Sequence, residues 1–123
     1  MNTFRFLDFE VYKLAKALHQ EVIKLTKHFP RECNSLADQI FRSSLSVVLN
    51  IAEGSAKRSD KDFNRFIETA LGSVSETVAG LDVVRDHELI DEVKFNELMK
   101  LSESIAKQLG GLSKKLKSDF TKS

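Results

Sequence analysis

Glu53 and Glu76 are the two carboxylates that helical periodicity brings toward the middle of the chain, and a pair of carboxylates is what general acid and base chemistry asks for. Directly after Glu53 comes a cation cluster, Lys57, Arg58, Lys61 and Arg65. Lys61 and Arg65 are one helical turn apart and can meet neighbouring phosphates. The other chemistries fail on spacing. No glutamate is followed three positions later by histidine, the pairing that di-iron bundles use, and His-Glu-x-x-His is absent. His19, His28 and His87 are scattered and read as surface side chains. Cys33 stands beside the expected start of a helix, where the dipole lowers a thiol pKa, yet no histidine pairs with it, so it reads as a small half-buried residue. Neither GxxxxGK[ST] nor GxGxxG occurs, which leaves no phosphate-cradling loop. The expectation is a chain without catalytic residues, cofactor or metal, in which Glu53 and Glu76 serve structural hydrogen bonds.

Those side chains must be positioned by helices, because apolar residues recur at helical spacing and nowhere alternate with period two. Val11, Leu14, Ala15, Leu18, Val22 and Leu25 make one stripe, ending at Phe29-Pro30, where proline pushes the preceding residue out of helical geometry. Ser59 with Asp62 is a capping pair for the third helix, whose core face runs through Phe63, Phe66, Ile67, Ala70, Val74, Val78 and Leu81. Gly72, Ser75 and Ala79 form a small-residue strip on its other side. Asp91 caps the fourth helix, where Leu98, Leu101, Ile105, Leu109, Leu112 and Leu116 step along a bundle seam. The prediction is an all-α, antiparallel up-down four-helix bundle in one domain, 1–123, with helices at about 8–28, 33–54, 59–87 and 91–118. Gly54 is expected to cap the second helix or turn the chain.

The second of these helices is the unusual one. Leu36, Ile40, Val47 and Ile51 fall on one side, and Phe41, Leu45, Val48 and Ala52 roughly opposite. A helix apolar on two sides must be covered on two sides, and a chain of 123 residues has few spare elements. A second copy of the protein is the simplest cover, which makes Phe41, Leu45, Val48 and Leu49 the candidate subunit interface. Between the stripes runs a polar line that needs partners wherever it is buried. Arg42, Ser46, Asn50 and Glu53, with Glu76 from the third helix, are the candidate polar network.

Composition bounds the rest. One cysteine excludes an internal disulfide and fits a reducing, cytoplasmic setting. No run approaches the roughly eighteen apolar residues of a membrane span, and the N-terminus lacks the pattern of an export signal. A net charge of +1 is unlike the basic domains that coat nucleic acid. That charge is uneven, with six acidic and two basic residues from Asp86 to Glu103, then five lysines against Asp119 to the end.

The segment RSSLSVVLNIAEGSAKRSDKDFNRFIETALGSVSE resembles the four-helix-bundle proteins called 23S ribosomal RNA intervening-sequence proteins, also described as ribosomal-protein-like. Arg42, Ser43, Ser46, the run Asn50 to Gly54, Arg58-Ser59, Asp62-Phe63, Phe66, Ala70 to Ser73 and Glu76 carry the likeness. The opening LDFEVYKLAKALHQEVIKLTKHFP extends it over nearly the whole chain. The resemblance implies a homo-oligomer, with a pentameric ring favoured, and no established enzymatic activity. A relative among the accessory proteins of diversity-generating retroelements is strongly basic and binds nucleic acid and a reverse transcriptase; this chain is nearly neutral. The resulting expectation is a non-enzymatic oligomeric scaffold that binds RNA weakly or a nucleic-acid-processing protein, with Lys57, Arg58, Lys61 and Arg65 as the candidate nucleic-acid patch. The alternatives are a protein-binding adaptor without nucleic acid and, last, a hydrolase built on Glu53 and Glu76.

Overall fold

The computed structural model describes residues 3–121. Four helices form, α1 (Glu10–Thr26), α2 (Asn34–Ser55), α3 (Asp60–Asp86) and α4 (Glu92–Thr121), with single 3-10 turns at Arg5–Asp8 and Arg31–Cys33. Among the described residues no helix is long and apolar enough to cross a membrane.

Each boundary has a local cause. α1 starts two residues later than the periodicity predicts, because Arg5–Asp8 coils separately and Phe9 is extended (φ −71°, ψ 128°). This arrangement lays Arg5 across the end of α2, where its Nε donates to the Ser55 carbonyl at 3.0 Å and supplies a cation to the negative helix terminus. Ser59 accepts from the Asp62 amide at 3.1 Å, and Asp91 accepts from the Lys94 amide at 2.7 Å, so both predicted caps form. α3 closes with a Schellman motif: the Leu89 amide donates to the Val84 carbonyl and the Glu88 amide to that of Arg85, while Leu89 packs in one cluster with Val84. Glu88 takes the left-handed position at φ 58°, which glycine occupies more comfortably.

Cross-helix pairs run in opposite sequence order along α2 and α3 (Ser46 with Ser73, Gly54 with Phe63) and along α3 and α4 (Arg85 with Phe95, Asn64 with Ser113), while His19 of α1 meets Ser44 of α2. The main core is built from Ala15 and Leu18 of α1, Val47 and Ile51 of α2, Ile67 and Ala70 of α3, and Ile105 and Leu109 of α4, all fully buried. A smaller cluster, Val22, Ile40 and Val84, closes the end near the Phe29 turn.

α2 packs more extensively against α3 than against any other helix, and two glycines permit close approach there. A Cβ on Gly54 would stand 2.8 Å from Phe66 Cβ and 2.9 Å from Phe63 Cδ1, and one on Gly80 would overlap Ile40 Cγ2. Gly54 is therefore not the cap or turn residue expected from its position. It lies inside α2 with a negative φ, since no glycine here has a positive one, and its missing side chain makes room for two phenylalanines.

Candidate interaction surface

Val48 does not belong to the outer face of α2. It is only 6% exposed and packs in the main core, although it lies within about 20° of Phe41 around the helix axis. Phe41 (41% exposed) and Leu49 (54% exposed) do stand in solvent, and half-buried Leu45 lies between them at the same four-residue interval. Together they form an apolar ridge along the outside of the helix. The His19 ring meets Phe41 edge-on, with centroids 4.8 Å apart. Its Nδ1 is 2.8 Å from Ser44 Oγ, whose own hydrogen serves the Ile40 carbonyl at 2.8 Å. Sequence reasoning placed His19 at the surface; it is half-buried, and burial lowers its pKa below the usual 6.5.

The polar line on α2 divides in two. Asn50 Nδ2 donates to the Ser46 carbonyl at 2.8 Å and to Ser46 Oγ at 3.0 Å, and Ser46 Oγ is 2.8 Å from Ser73 Oγ of α3. One turn along, the Thr77 hydroxyl lies 2.8 Å from both the Ser73 carbonyl and Ser43 Oγ. The seam between α2 and α3 is thus a ladder of hydroxyls. The side chains of Arg42 and Glu53 do not join it, being exposed and without a hydrogen bond or ion pair among the described residues. Glu76 accepts instead from Gln39 Nε2 at 2.8 Å. Gln39 and Glu53 are about 21 Å apart along the axis at 1.5 Å per residue, so Glu53 and Glu76 cannot act on one substrate atom. The periodicity missed Ser73 and Thr77, although serine and threonine three or four residues apart facing a serine-rich stripe were a usable signal.

At the end of the bundle where α2 passes to α3, Lys57, Arg58 and Lys61 are exposed. Lys57 Nζ sits 5.0 Å from the centre of the Phe66 ring, and Arg65 pairs with Asp62 at 3.3 Å. Asp60 and Asp62 stand among these cations, as the first-turn acids of α3. No group of three or more His, Cys, Asp or Glu is placed to hold a metal ion among the described residues.

Between α3 and α4 lies a groove of about 540 Å³. Its floor is apolar (Val74, Val78, Phe95, Met99), its walls are short (Ser75, Ala79, Ala106), and Asp82, Arg85 and Glu103 stand at its mouth. Arg85 is held there by Asp82 at 2.9 Å and by the Phe95 ring, 4.1 Å below its guanidinium carbon.

The family model described as 23S rRNA-intervening sequence protein matches residues 7–111. The chain belongs to this family. Among solved structures it is similar to a protein of unknown function from the S23 ribosomal protein family of Bacteroides thetaiotaomicron VPI-5482. The two share 24% identity and superpose with a TM-score of 0.75 over 85% of this chain and 98% of that one, which establishes a shared fold. Comparison with curated proteins finds no match. The family match spans the ridge, the hydroxyl ladder, the cation cluster and the whole of the groove.

Proposed function

We propose that this member of the family is a non-enzymatic helical scaffold that self-associates through the outer face of α2 and offers its cationic end to nucleic acid phosphates. The observation that carries the reading is the ridge. Phe41 and Leu49 are large, apolar and exposed at helical spacing, and such a contiguous patch marks an interaction surface rather than a solvated one. The rest of the molecule is consistent with a scaffold: the buried hydroxyls are bonded to one another and to backbone, and the two carboxylates that an acid-base pair would need lie far apart.

The cationic end sets a limit on affinity. Arg65 is partly neutralised by Asp62, and Asp60 stands beside Lys61, so a single subunit holds phosphate weakly. An assembly multiplies that contact by its copy number. Non-specific binding in the range of about 10⁻⁴ to 10⁻⁶ M is expected, weakening as salt rises from about 50 to 200 mM. Light scattering over a concentration series tests the self-association. Titration of labelled RNA at the two salt concentrations, with the wild type and with Lys57, Arg58, Lys61 and Arg65 changed together to alanine, tests the cationic end. Tight binding indifferent to salt and to those four substitutions would overturn it. No binding at low salt, with the oligomer intact, would leave a protein-binding scaffold.

A further inference from the structure

We infer that the cationic end takes single-stranded nucleic acid, with its bases stacked on aromatic rings that the N-terminal turn brings beside the cations. The inference rests on the phosphate binding proposed above and names the class of strand. Arg5 joins the two features. Its Nε donates to the Ser55 carbonyl at 3.0 Å, and its guanidinium carbon lies 5.3 Å from the centre of the Phe63 ring. Lys57 Nζ lies 5.0 Å from the centre of the Phe66 ring. Phe63 and Phe66 are three residues apart on α3, which makes them neighbours on one helix face, and both crowd the same point beside Gly54. Arg5 and Lys57 therefore cover neighbouring rings. The residues on either side of Arg5 are Phe4 and Phe6, so both of their rings come within a few nucleotides' reach of Lys57 and Arg58.

Phe63 is buried in the core and Phe66 is half-buried beneath Lys57, so stacking falls to the rings of the turn. Phe4 is 62% exposed, with its ring centre 6.2 Å from that of Phe6, and Phe6 meets Tyr12 edge-on at 4.9 Å. Lys16 Nζ stands 5.2 Å from the Tyr12 ring. The result is a short run of aromatics with cations beside it. The Leu7 amide donates to the Phe4 carbonyl at 3.1 Å and the Phe9 amide to that of Phe6 at 3.0 Å, while Arg5 ties the turn to α2. The rings are thus held in place before a strand arrives, which lowers the ordering cost of binding. Asp8 and Glu10 are exposed where α1 begins, which favours phosphates on the Lys57 side of the turn. A duplex keeps its bases stacked on one another, whereas a single strand presents base faces on which an aromatic ring stacks whatever the sequence. A lipid surface asks for apolar side chains that project beyond the cations, and here Arg5 holds the turn down against the bundle.

The test titrates the full chain, at about 50 mM salt, with oligouridylate, an abasic oligonucleotide of the same length, a duplex of the same phosphate count, and vesicles of phosphatidylcholine and phosphatidylglycerol. Phe4→Trp is the reporter, because the chain has no tryptophan of its own. Its fluorescence should be quenched by oligouridylate and left unchanged by the abasic strand and the duplex. Phe4→Ala, with helix content unchanged, should weaken oligouridylate binding about five- to tenfold and leave the abasic strand unaffected. Its salt dependence should match the wild type, because no phosphate contact is lost. Changing Lys57, Arg58, Lys61 and Arg65 together to alanine should instead weaken every nucleic acid probe and flatten the salt dependence. Equal binding of oligouridylate and the abasic strand, with Phe4→Ala silent, would overturn the stacking and leave the phosphate binding standing. No binding of any nucleic acid probe would overturn both. Vesicle binding that Phe4→Ala removes, with oligouridylate ignored, would overturn the inference and assign the turn to a lipid surface. A smaller assembly for Phe4→Ala in light scattering would overturn it in favour of a contact between copies.

Discussion

Gly54→Ala separates two effects that a helix interior usually mixes. Replacing glycine by alanine inside a helix favours folding by about 1 kcal/mol through lower backbone entropy in the unfolded chain. At Gly54 the new methyl would stand 2.8 Å from Phe66 Cβ, 2.9 Å from Phe63 Cδ1 and 3.3 Å from the Phe63 carbonyl oxygen. Two of these three atoms are Cβ and backbone, so they move only if α3 moves. Overpacking of this kind costs about 1–3 kcal/mol. The net expectation is a loss of up to about 2 kcal/mol. Gly111→Ala is the matched control, in α4 with nothing within 4 Å of the added Cβ, and should gain about 1 kcal/mol. For a domain of this size each kcal/mol is worth roughly 3–5 °C in Tm. Urea denaturation followed by helical circular dichroism measures both variants, and the difference between them isolates the steric part, about 1–3 kcal/mol. Equal stabilisation at the two sites would refute the claim that Gly54 sets the α2–α3 distance.

Thr77→Val keeps the volume of a fully buried side chain but removes the hydroxyl facing Ser43 Oγ and the Ser73 carbonyl, so it should cost about 1–3 kcal/mol in the same denaturation experiment. Glu88→Gly relieves the left-handed backbone at φ 58° and should raise stability by up to about 1 kcal/mol. Leu49→Asp should leave helix content unchanged and shift light scattering to the monomer, whereas Val48→Asp, which buries a charge in the core, should lose helix content. His19 has a folded pKa below its unfolded value of about 6.5, so the unfolded chain binds the proton more readily. Its contribution is present above that pH and is lost as pH falls through the folded pKa, and wild-type stability should therefore drop more than that of His19→Gln below about pH 6.5.

Periodicity carried most of the fold because burial and hydrogen bonding in a bundle are both helical. Ala15, Leu18, Val47, Ile51, Ile67, Leu81, Ile105 and Leu109 all occupy the positions that the stripes require, and the Ser59 and Asp91 caps form as their spacing implies. The failures share one cause, which is that a helical wheel locates a residue around its own axis but not against a particular neighbour. Val48 and Phe41 are two helical turns apart in the same stripe; the first is packed in the main core and the second stands exposed against the His19 ring. Gly54 is a stop signal by composition, but α3 crosses α2 there, and contact with Phe63 and Phe66 is a stronger demand than a turn.

The polar line on α2 shows what such reasoning leaves open about the site. Ser43 and Ser46 turn toward α3 and bond to its Thr77 and Ser73 hydroxyls, and Asn50 donates back to Ser46 on its own helix. Arg42 and Glu53, expected in the same polar network, fall on the side facing solvent. A long charged side chain beside a short polar one is ambiguous, because it can reach inward to a partner or lie outward in water with little difference in backbone position. The free energy decides. Bringing Arg42 or Glu53 into the hydroxyl seam would desolvate a full charge among neutral hydroxyls, whereas in water it keeps its hydration. That leaves Arg42 beside the ridge with its charge hydrated and spent on no partner within its own fold.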